Sequence, residues 1–198
     1  MSASTDQHRP ESGGCRAESG IDFDVVVAVD EAGGIGQNGR LPWRLSGDMA
    51  RFKALTSDRG AAGGAENAVV MGRKTWDSLQ ARFRPLPERL NVVVTRNPTL
   101  ELPAGVLCAS GLEAALDELG ERARTGGVGH VFVIGGAEIF AQALGRPECR
   151  RVHLTRVHGR FACDARFPPL GSQLVLATRT EPVEEKGLRY HFEVYVRA

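Results

Sequence analysis

The sequence predicts an α/β domain, a largely parallel β-sheet covered by helices on both faces with an antiparallel addition at its C-terminal end. Three observations predict it. Short Val-rich apolar runs alternate with amphipathic stretches from Phe23 to Leu144, the pattern of strands joined by crossover helices. Those runs are continuously apolar, as expected where both faces of a strand are buried. After Arg151, strand-like segments follow one another with no helix between them, and neighbouring strands joined without a crossover pair antiparallel.

Residues 1–20 hold Asp6, Glu11 and Glu18 and no apolar stretch. They read as a disordered tail rather than a secretory signal or an Arg-rich transit peptide, ahead of one domain over residues 21–198. Phe23–Val29 is the first strand. Asp30–Leu45 then forms a long glycine-rich loop, and long loops in compact domains are more often functional than idle. Within it, Gly34-Ile35-Gly36-Gln37-Asn38-Gly39 fits the G-x-G-x-x-G dinucleotide fingerprint, which requires a helix to begin at the last glycine. Pro42 lacks an N–H and drives Leu41 out of the helical region, so the segment reads instead as a flap ending in a buried aromatic anchor, Trp43. A helix over Ser46–Thr56 follows, with Ser46 as its N-cap and Met49, Phe52 and Leu55 marking its apolar side. Asp48 falls in the first turn. An acid there ordinarily complements the helix dipole, but beside an apolar face it is desolvated and becomes a candidate acid or a partner for a cationic heterocycle.

The remaining elements follow in order. Thr56–Asn67 is a second loop, containing Gly60-Ala61-Ala62-Gly63-Gly64. Ala68–Met71 is a strand, Arg73–Leu79 a helix, and Leu90–Val94 and Val106–Cys108 are strands. Leu112–Arg124 is a helix with Leu112, Ala115, Leu116 and Leu119 on one face. Val128–Ile134 is a strand and Ala137–Leu144 a helix. Val152–Val157, Gln173–Thr180 and Tyr190–Val196 are the last strands. Neither an internal repeat nor a second domain emerges.

Several motifs carry chemistry. Ile134-Gly135-Gly136-Ala137 puts a glycine pair between a strand and a helix, where backbone N–H groups can approach a phosphate with the helix dipole behind them; such a pair also serves close packing. Arg73-Lys74-Thr75 and Thr95-Arg96 each follow a strand, at corresponding ends if the sheet is parallel, and together suit a dianionic phosphate. Taken singly, each reads as a solvated turn. In Arg84-Pro85-Leu86-Pro87-Glu88-Arg89 the prolines stiffen a segment that either carries surface charge or presents Arg89 to a carboxylate. His130, His153, His158 and His191 have no acid or Cys partner at ligand spacing and read as structural, with no metal site.

Composition excludes other classes. Lys plus Arg number 25 and Asp plus Glu 24, a net charge of +1, which argues against nonspecific attraction to nucleic acid or an anionic membrane. No apolar run approaches the roughly 20 residues of a membrane span. The four cysteines show no CxxC pairing and read as reduced thiols in a cytoplasmic protein. No G-x-S-x-G elbow supports nucleophilic hydrolysis.

Together the motifs resemble the dihydrofolate reductase family. The matching segments run in order over residues 22–197: Val25-Val26-Val27-Ala28-Val29, Gly34-Ile35-Gly36 through Leu41-Pro42-Trp43, Asp48 with Phe52, Val69-Val70-Met71-Gly72-Arg73-Lys74-Thr75-Trp76, Arg84 through Arg89, Asn91 to Arg96, Val133-Ile134-Gly135-Gly136, Leu154-Thr155-Arg156, Phe167-Pro168, and Tyr190-His191-Phe192-Glu193-Val194-Tyr195. The resemblance implies a single-domain fold with a central eight-stranded, mostly parallel sheet, a C-terminal antiparallel strand and flanking helices. It implies NADPH-dependent reduction of 7,8-dihydrofolate to 5,6,7,8-tetrahydrofolate, with hydride transfer to C6 and protonation of N5, supplying one-carbon metabolism and thymidylate synthesis.

By the same resemblance, Asp48 binds the pterin and promotes N5 protonation, Trp43 holds an ordered water near it, and Thr155 supports it from behind. Val26, Val27, Met49, Phe52, Leu79 and Leu86 pack against the pterin and benzoyl rings, and Arg89 clamps the α-carboxylate of the glutamyl tail. Ala28, Ile35, Gly36 and Ile134 flank the nicotinamide. Gly135, Gly136 and Ala137, continuing into Glu138 and Ile139, take the pyrophosphate side, and Arg73, Lys74, Thr75, Thr95 and Arg96 take the adenosine side with its 2′-phosphate. Phe140 is a departure, because the family usually carries Tyr there near the nicotinamide; losing the hydroxyl implies reduced rather than abolished activity. The expected partners are dihydrofolate and antifolate inhibitors, bound by a monomer. Two alternatives share the fold: a pyrimidine reductase of riboflavin synthesis, which needs neither Asp48 nor Arg89, and a binding protein that has lost turnover. A third is half of a fusion with thymidylate synthase, of which the residues up to Ala198 include no synthase segment.

Overall fold

Where β-branched runs are long enough to pair, this chain builds a sheet, and the segments between them supply its cover. A computed structural model describes residues 20–60 and 64–198. The tail predicted over 1–20, Gly20 excepted, and residues 61–63 of the second loop lie outside the described residues. In chain order the elements are β1 (Phe23–Val29), β2 (Gly34–Gly36), α1 (Ser46–Ser57), β3 (Ala68–Gly72), α2 (Arg73–Ser78), a short 3-10 turn (Ala81–Phe83), β4 (Leu90–Val94), β5 (Leu107–Ala109), α3 (Leu112–Arg124), β6 (Val131–Gly135), α4 (Ala137–Leu144), β7 (Cys149–Val157), β8 (Ala165–Arg166), β9 (Leu174–Arg179), β10 (Val183–Glu185) and β11 (Leu188–Arg197).

The main sheet runs β10-β11-β7-β1-β6-β3-β4-β5. From β7 to β5 every pairing is parallel, and β11 pairs antiparallel with its neighbours. The outermost position is shared, because β10 takes Leu188 to Tyr190 of β11 and β9 takes Glu193 to Arg197. The sheet is thus eight positions wide, as the family resemblance implies. In the parallel register Gly72 lies opposite Val94, and Met71 opposite Gly135. The chain therefore leaves β6, β3 and β4 at one edge, which gathers the glycine pair, Arg73-Lys74-Thr75 and Thr95-Arg96.

Strand alternation divides the core between the faces. Val25, Val27 and Val29 of β1 join Leu112, Ala115, Leu116 and Leu119 of α3 and Ile139, Phe140, Ala143 and Leu144 of α4. On the opposite face, Val26 meets a cluster of Val69, Met71, Trp76, Leu86, Val93 and Phe132, with Phe52, Leu79 and Ile134 at its margin. Ala28 meets a third cluster of Trp43, Leu45, Val157 and Tyr190. Each fully buried Val, Leu or Phe contributes about 1.5–3 kcal/mol relative to exposure.

The structure corrects several expectations. β2, β8 and β10 span only two or three residues, too short for a periodic signal, so the glycine-rich flap holds a strand. Its Gly34 and Gly36 pair with Arg166 and Ala165. No helix begins at Gly39, in keeping with the failed fingerprint. The strand predicted from Val128 starts at Val131, because Gly129 and His130 donate their N–H groups to Glu66 O and Asn67 Oδ1 and so belong to a loop brace. Leu45, not Ser46, stands at the N-cap of α1, and no side chain of its own caps the helix. Met49 is 48% exposed, while Asp48 and Thr56 are buried on α1, so this helix turns polar groups inward where the apolar spacing predicted Met49.

The histidines also gain acid partners that linear spacing could not reveal. His130 and His153 each place Nε2 3.1 Å from Asp24 Oδ2. His191 Nε2 lies 3.0 Å from Glu193 Oε1, and its Nδ1 lies 3.0 Å from His158 Nε2. Among the described residues, no group of three or more His, Cys, Asp or Glu side chains is placed to hold a metal ion, and no helix is long and apolar enough to cross a membrane.

Candidate active site

The acid is built by a helix and a strand far apart in sequence. Asp48, 6% exposed, accepts the Thr155 hydroxyl proton at Oδ1 over 2.7 Å. Thr155 lies opposite Ala28 in the β1–β7 register, so it shares the half of the sheet face that bears Trp43. Burial pushes the Asp48 carboxyl above the usual carboxylate range; the Thr155 hydrogen bond and Arg51 oppose that rise, and Glu185 adds to it. A buried carboxyl of this kind can retain a proton that an exposed Asp would lose.

Trp43 closes the site at the end of the flap, 4% exposed and edge-on to Phe161 at 5.1 Å. Its indole Nε1 is buried without a partner among the described residues. An unsatisfied buried N–H costs about 1–3 kcal/mol, so this group calls for an ordered water or a ligand acceptor. The flap's base is fixed by Asp30, whose carboxylate accepts N–H groups from Ala32, Gly34 and Phe161 at 2.8, 2.6 and 2.9 Å. Although burial acts to raise Asp30, those three bonds and Arg166 hold it below the ordinary range.

Val26, Phe52, Leu79, Leu86 and Ile134 lie together on the α1–α2 face and form an apolar floor. Val27 does not join them: strand alternation sends its side chain into the α3–α4 core. Met49 lies exposed at the rim. Arg89 stands at the far end, 7% exposed, with its guanidinium carbon 5.8 Å from the Phe52 ring centroid. It donates Nε–H to Pro87 O at 2.9 Å and an Nη1 hydrogen to Thr56 Oγ1 at 2.7 Å. Asn91 secures the proline segment, accepting the Leu86 N–H and donating to the Leu86 and Arg89 carbonyls. Burial lowers the Arg89 pKa and Glu88 and Glu66 oppose this, yet a guanidinium stays charged, and its remaining donors, unpaired among the described residues, suit a bidentate carboxylate.

At the sheet edge, Gly135 has φ +122°, and a Cβ there would meet the Phe140 ring at 3.2 Å and Thr75 Oγ1 at 3.4 Å. A Cβ at Gly136 would meet Thr75 Oγ1 at 3.2 Å. The peptide joining the two glycines is cis. Gly136 is the N-cap of α4, whose first N–H groups have no intrahelical partner. Arg73 and Lys74, the first residues of α2, and Arg96, on the loop after β4, are exposed. Arg73 pairs with Asp77 at 3.4 Å, and Thr95 Oγ1 accepts the Asn97 N–H at 3.1 Å. Ile35 is half-buried against the main core. Glu138 is exposed and Ala137 half-buried. Ile139 and Phe140 send their side chains into the core, Phe140 edge-on to Phe167 at 5.1 Å, so these two offer the edge backbone rather than side-chain contacts.

Two groups at the site escape sequence reasoning. Thr56, which braces Arg89, reads only as a helix end, and Glu185, which reaches Ser46 and Gly47 at 2.7 and 3.1 Å, lies more than a hundred residues from them in the chain. No local pattern marks either.

Comparison with known proteins supplies the context. The family model described as dihydrofolate reductase matches residues 22–197. A dihydrofolate reductase of Aedes albopictus is 35% identical over 179 residues, covering 87% of this chain and 96% of that protein. A bifunctional dihydrofolate reductase-thymidylate synthase of Glycine max is 40% identical over 179 residues, covering 88% of this chain and 33% of that protein. The chain thus spans about a third of the length of the bifunctional relatives it matches. Among solved structures, a Schistosoma mansoni dihydrofolate reductase superposes with a TM-score of 0.78 at 34% identity, covering 90% of this chain and all of that one.

Proposed function

The chain belongs to the dihydrofolate reductase family, and from that premise we propose that it reduces 7,8-dihydrofolate to 5,6,7,8-tetrahydrofolate with NADPH. The observation that carries this reading is a buried carboxyl, Asp48 on Thr155, beside an apolar floor that ends at the anchored guanidinium of Arg89. Dihydrofolate has matching parts: a polar heterocycle, a flat aromatic middle and a carboxylate tail. Asp48 binds the pterin and promotes protonation at N5. The Trp43 indole, buried without a protein partner, holds the water through which that proton travels. Val26, Phe52, Leu79 and Leu86 face the rings, Met49 covers them from the rim, and Arg89 takes the α-carboxylate. A protonated diaminopyrimidine antifolate would use the same Asp48 carboxylate.

The residues at the sheet edge fit NADPH. A Cβ at either glycine of the pair would crowd Thr75, and one at Gly135 would crowd Phe140 as well, so the pair lets β6 pack closely on α2 and α4, and the N-terminus of α4, capped by Gly136, suits a pyrophosphate. When bound, NADPH supplies the hydride. Ala28, Ile35, Gly36 and Ile134 line the nicotinamide side. Gly135 through Ile139 offer their backbone to the pyrophosphate, with Thr75 beside them. Arg73, Lys74, Thr95 and Arg96 hold the adenosine end and its 2′-phosphate. All these residues come from one chain, and the protein acts as a monomer in the reducing cytoplasm, where its cysteines stay reduced.

The test is to mix protein, NADPH and dihydrofolate and follow nicotinamide absorbance. Oxidation of NADPH that depends on dihydrofolate is the expected result. Antifolate binding without turnover would replace this reading with a binding protein, and turnover confined to a pyrimidine substrate would replace it with a pyrimidine reductase.

A further inference from the structure

The first turn of α1 carries Asp48, yet nothing in α1 fastens it. Leu45 occupies the N-cap, and no side chain of the helix caps the free N–H groups. The cap comes from across the fold. Glu185, the last residue of β10, accepts the Ser46 N–H at Oε1 over 2.7 Å and the Gly47 N–H at Oε2 over 3.1 Å. The same hairpin makes two more contacts. Tyr190 of β11 donates its hydroxyl to Glu185 Oε2 at 3.5 Å, and its oxygen crowds Gly47 so closely that a Cβ there would overlap it. Phe192 of β11 lies under the Arg51 guanidinium, whose carbon is 4.3 Å from the ring centroid.

We infer that Glu185 is a positioning residue for the acid: its carboxylate replaces the missing cap of α1 and holds the first helical turn, with Asp48, in place against Thr155. This rests on the proposed role of Asp48 as the proton source. An uncapped helix N-terminus presents partial positive charge to a carboxylate in the first turn and favours its ionised form. Glu185 satisfies those N–H groups and sets a negative charge beside them. The groups facing Asp48 are Thr155 from β7 and Arg51 from α1, which favour the carboxylate, and Glu185 from β10, which joins burial in favouring the acid. Tyr190 from β11 is held neutral, its pKa raised by burial and by the charges of Glu185 and Asp48. Glu185 is itself held down to about 2 by its backbone bonds to Ser46 and Gly47, so it remains an anion at every pH at which Asp48 works.

Glu185→Gln tests this in the full chain, because it removes the charge and keeps an amide oxygen for one cap bond. The exposed neighbour serves as control in Glu184→Gln. Carbon-13 NMR titration of the Asp48 carboxyl, assigned through Asp48→Asn, gives the midpoint directly, and single-turnover hydride transfer on the same proteins gives the rate profile. In Glu185→Gln the Asp48 midpoint moves to lower pH and hydride transfer above it falls about two- to fivefold, with NADPH affinity unchanged and Glu184→Gln like wild type. A midpoint that stays in place or rises overturns the inference. A midpoint that falls while the rate profile stays put upholds Glu185 and overturns the role of Asp48 as proton source. Should Glu185→Gln fail to fold, Glu185→Asp keeps the charge but withdraws it from the helix; its midpoint falls by a smaller amount, and one equal to wild type overturns the inference.

Discussion

Thr56 does for Arg89 what Thr155 does for Asp48. Each hydroxyl sits behind a side chain of the candidate site and fixes its direction, at 2.7 Å in both cases, and Thr56 completes its own bonding by donating to Phe52 O at 2.7 Å. Thr56→Val keeps the shape and removes the acceptor. Because a glutamyl tail is held equally in the ground and transition states, loss of aim at Arg89 belongs in KM. Steady-state kinetics on Thr56→Val are expected to show KM for dihydrofolate raised about three- to tenfold, with kcat nearly unchanged; an equal fall in kcat would place Thr56 nearer the chemistry. The burial of Asp48 was legible in the sequence because it lies beside apolar helix positions, and the anchoring of Arg89 because two prolines frame it. Thr56, Thr155 and Glu185 belong to a different class of information, since each acts on a partner brought near only by folding. The sequence reached Thr155 through family resemblance alone.

At the scale of elements, three parallel strands end in register and deliver the edge proposed for the cofactor: β6 with the glycine pair, β3 with Arg73 and Lys74, β4 with Arg96. These cations are exposed, so each would meet a phosphate through partly screened charge. Arg73→Ala combined with Arg96→Ala is expected to raise KM for NADPH about tenfold or more and leave that for NADH almost unchanged; equal losses with both cofactors would remove these residues from 2′-phosphate recognition. The long elements were legible down to their ends, α3 at Leu112–Arg124 and α4 at Ala137–Leu144, because their apolar spacing spans two or more turns. The short strands were not. β2 and β8 form only against each other, so neither Gly34–Gly36 nor Ala165–Arg166 carries a periodic signal of its own. The position of Met49 misled for a related reason: spacing identifies an apolar stripe, whereas the orientation of α1 over an open floor decides which residues that stripe buries.

At the scale of the whole molecule, stability in acid draws on the sheet end opposite the edge proposed for the cofactor. Burial acts to raise Asp24, but hydrogen bonds and charge from His130 and His153 outweigh it and bring its pKa from 3.8 to about 2. A folded-state pKa below the unfolded one stabilises the protein above the unfolded value and loses that contribution as pH falls through the folded one. Asp24 is therefore expected to contribute about 2 kcal/mol to the stability lost between pH 4 and pH 2 in denaturant titrations, beside the losses at Asp30, Glu185 and Glu193, which are also held below their ordinary values; Asp24→Asn should make that part of the curve less steep, and an unchanged slope would discharge Asp24 from acid denaturation. Sheet, helix and hairpin meet at the Asp48 carboxyl, so the decisive measurement is single-turnover hydride transfer by wild type and Asp48→Asn across pH, with NADPH affinity measured on both. Asp48→Asn is expected to bind NADPH as wild type does, to lose most of its hydride-transfer rate at neutral pH, and to lose less at low pH, where dihydrofolate is more often protonated in solution. Wild-type rates in Asp48→Asn at neutral pH would contradict the assignment of Asp48 as the acid.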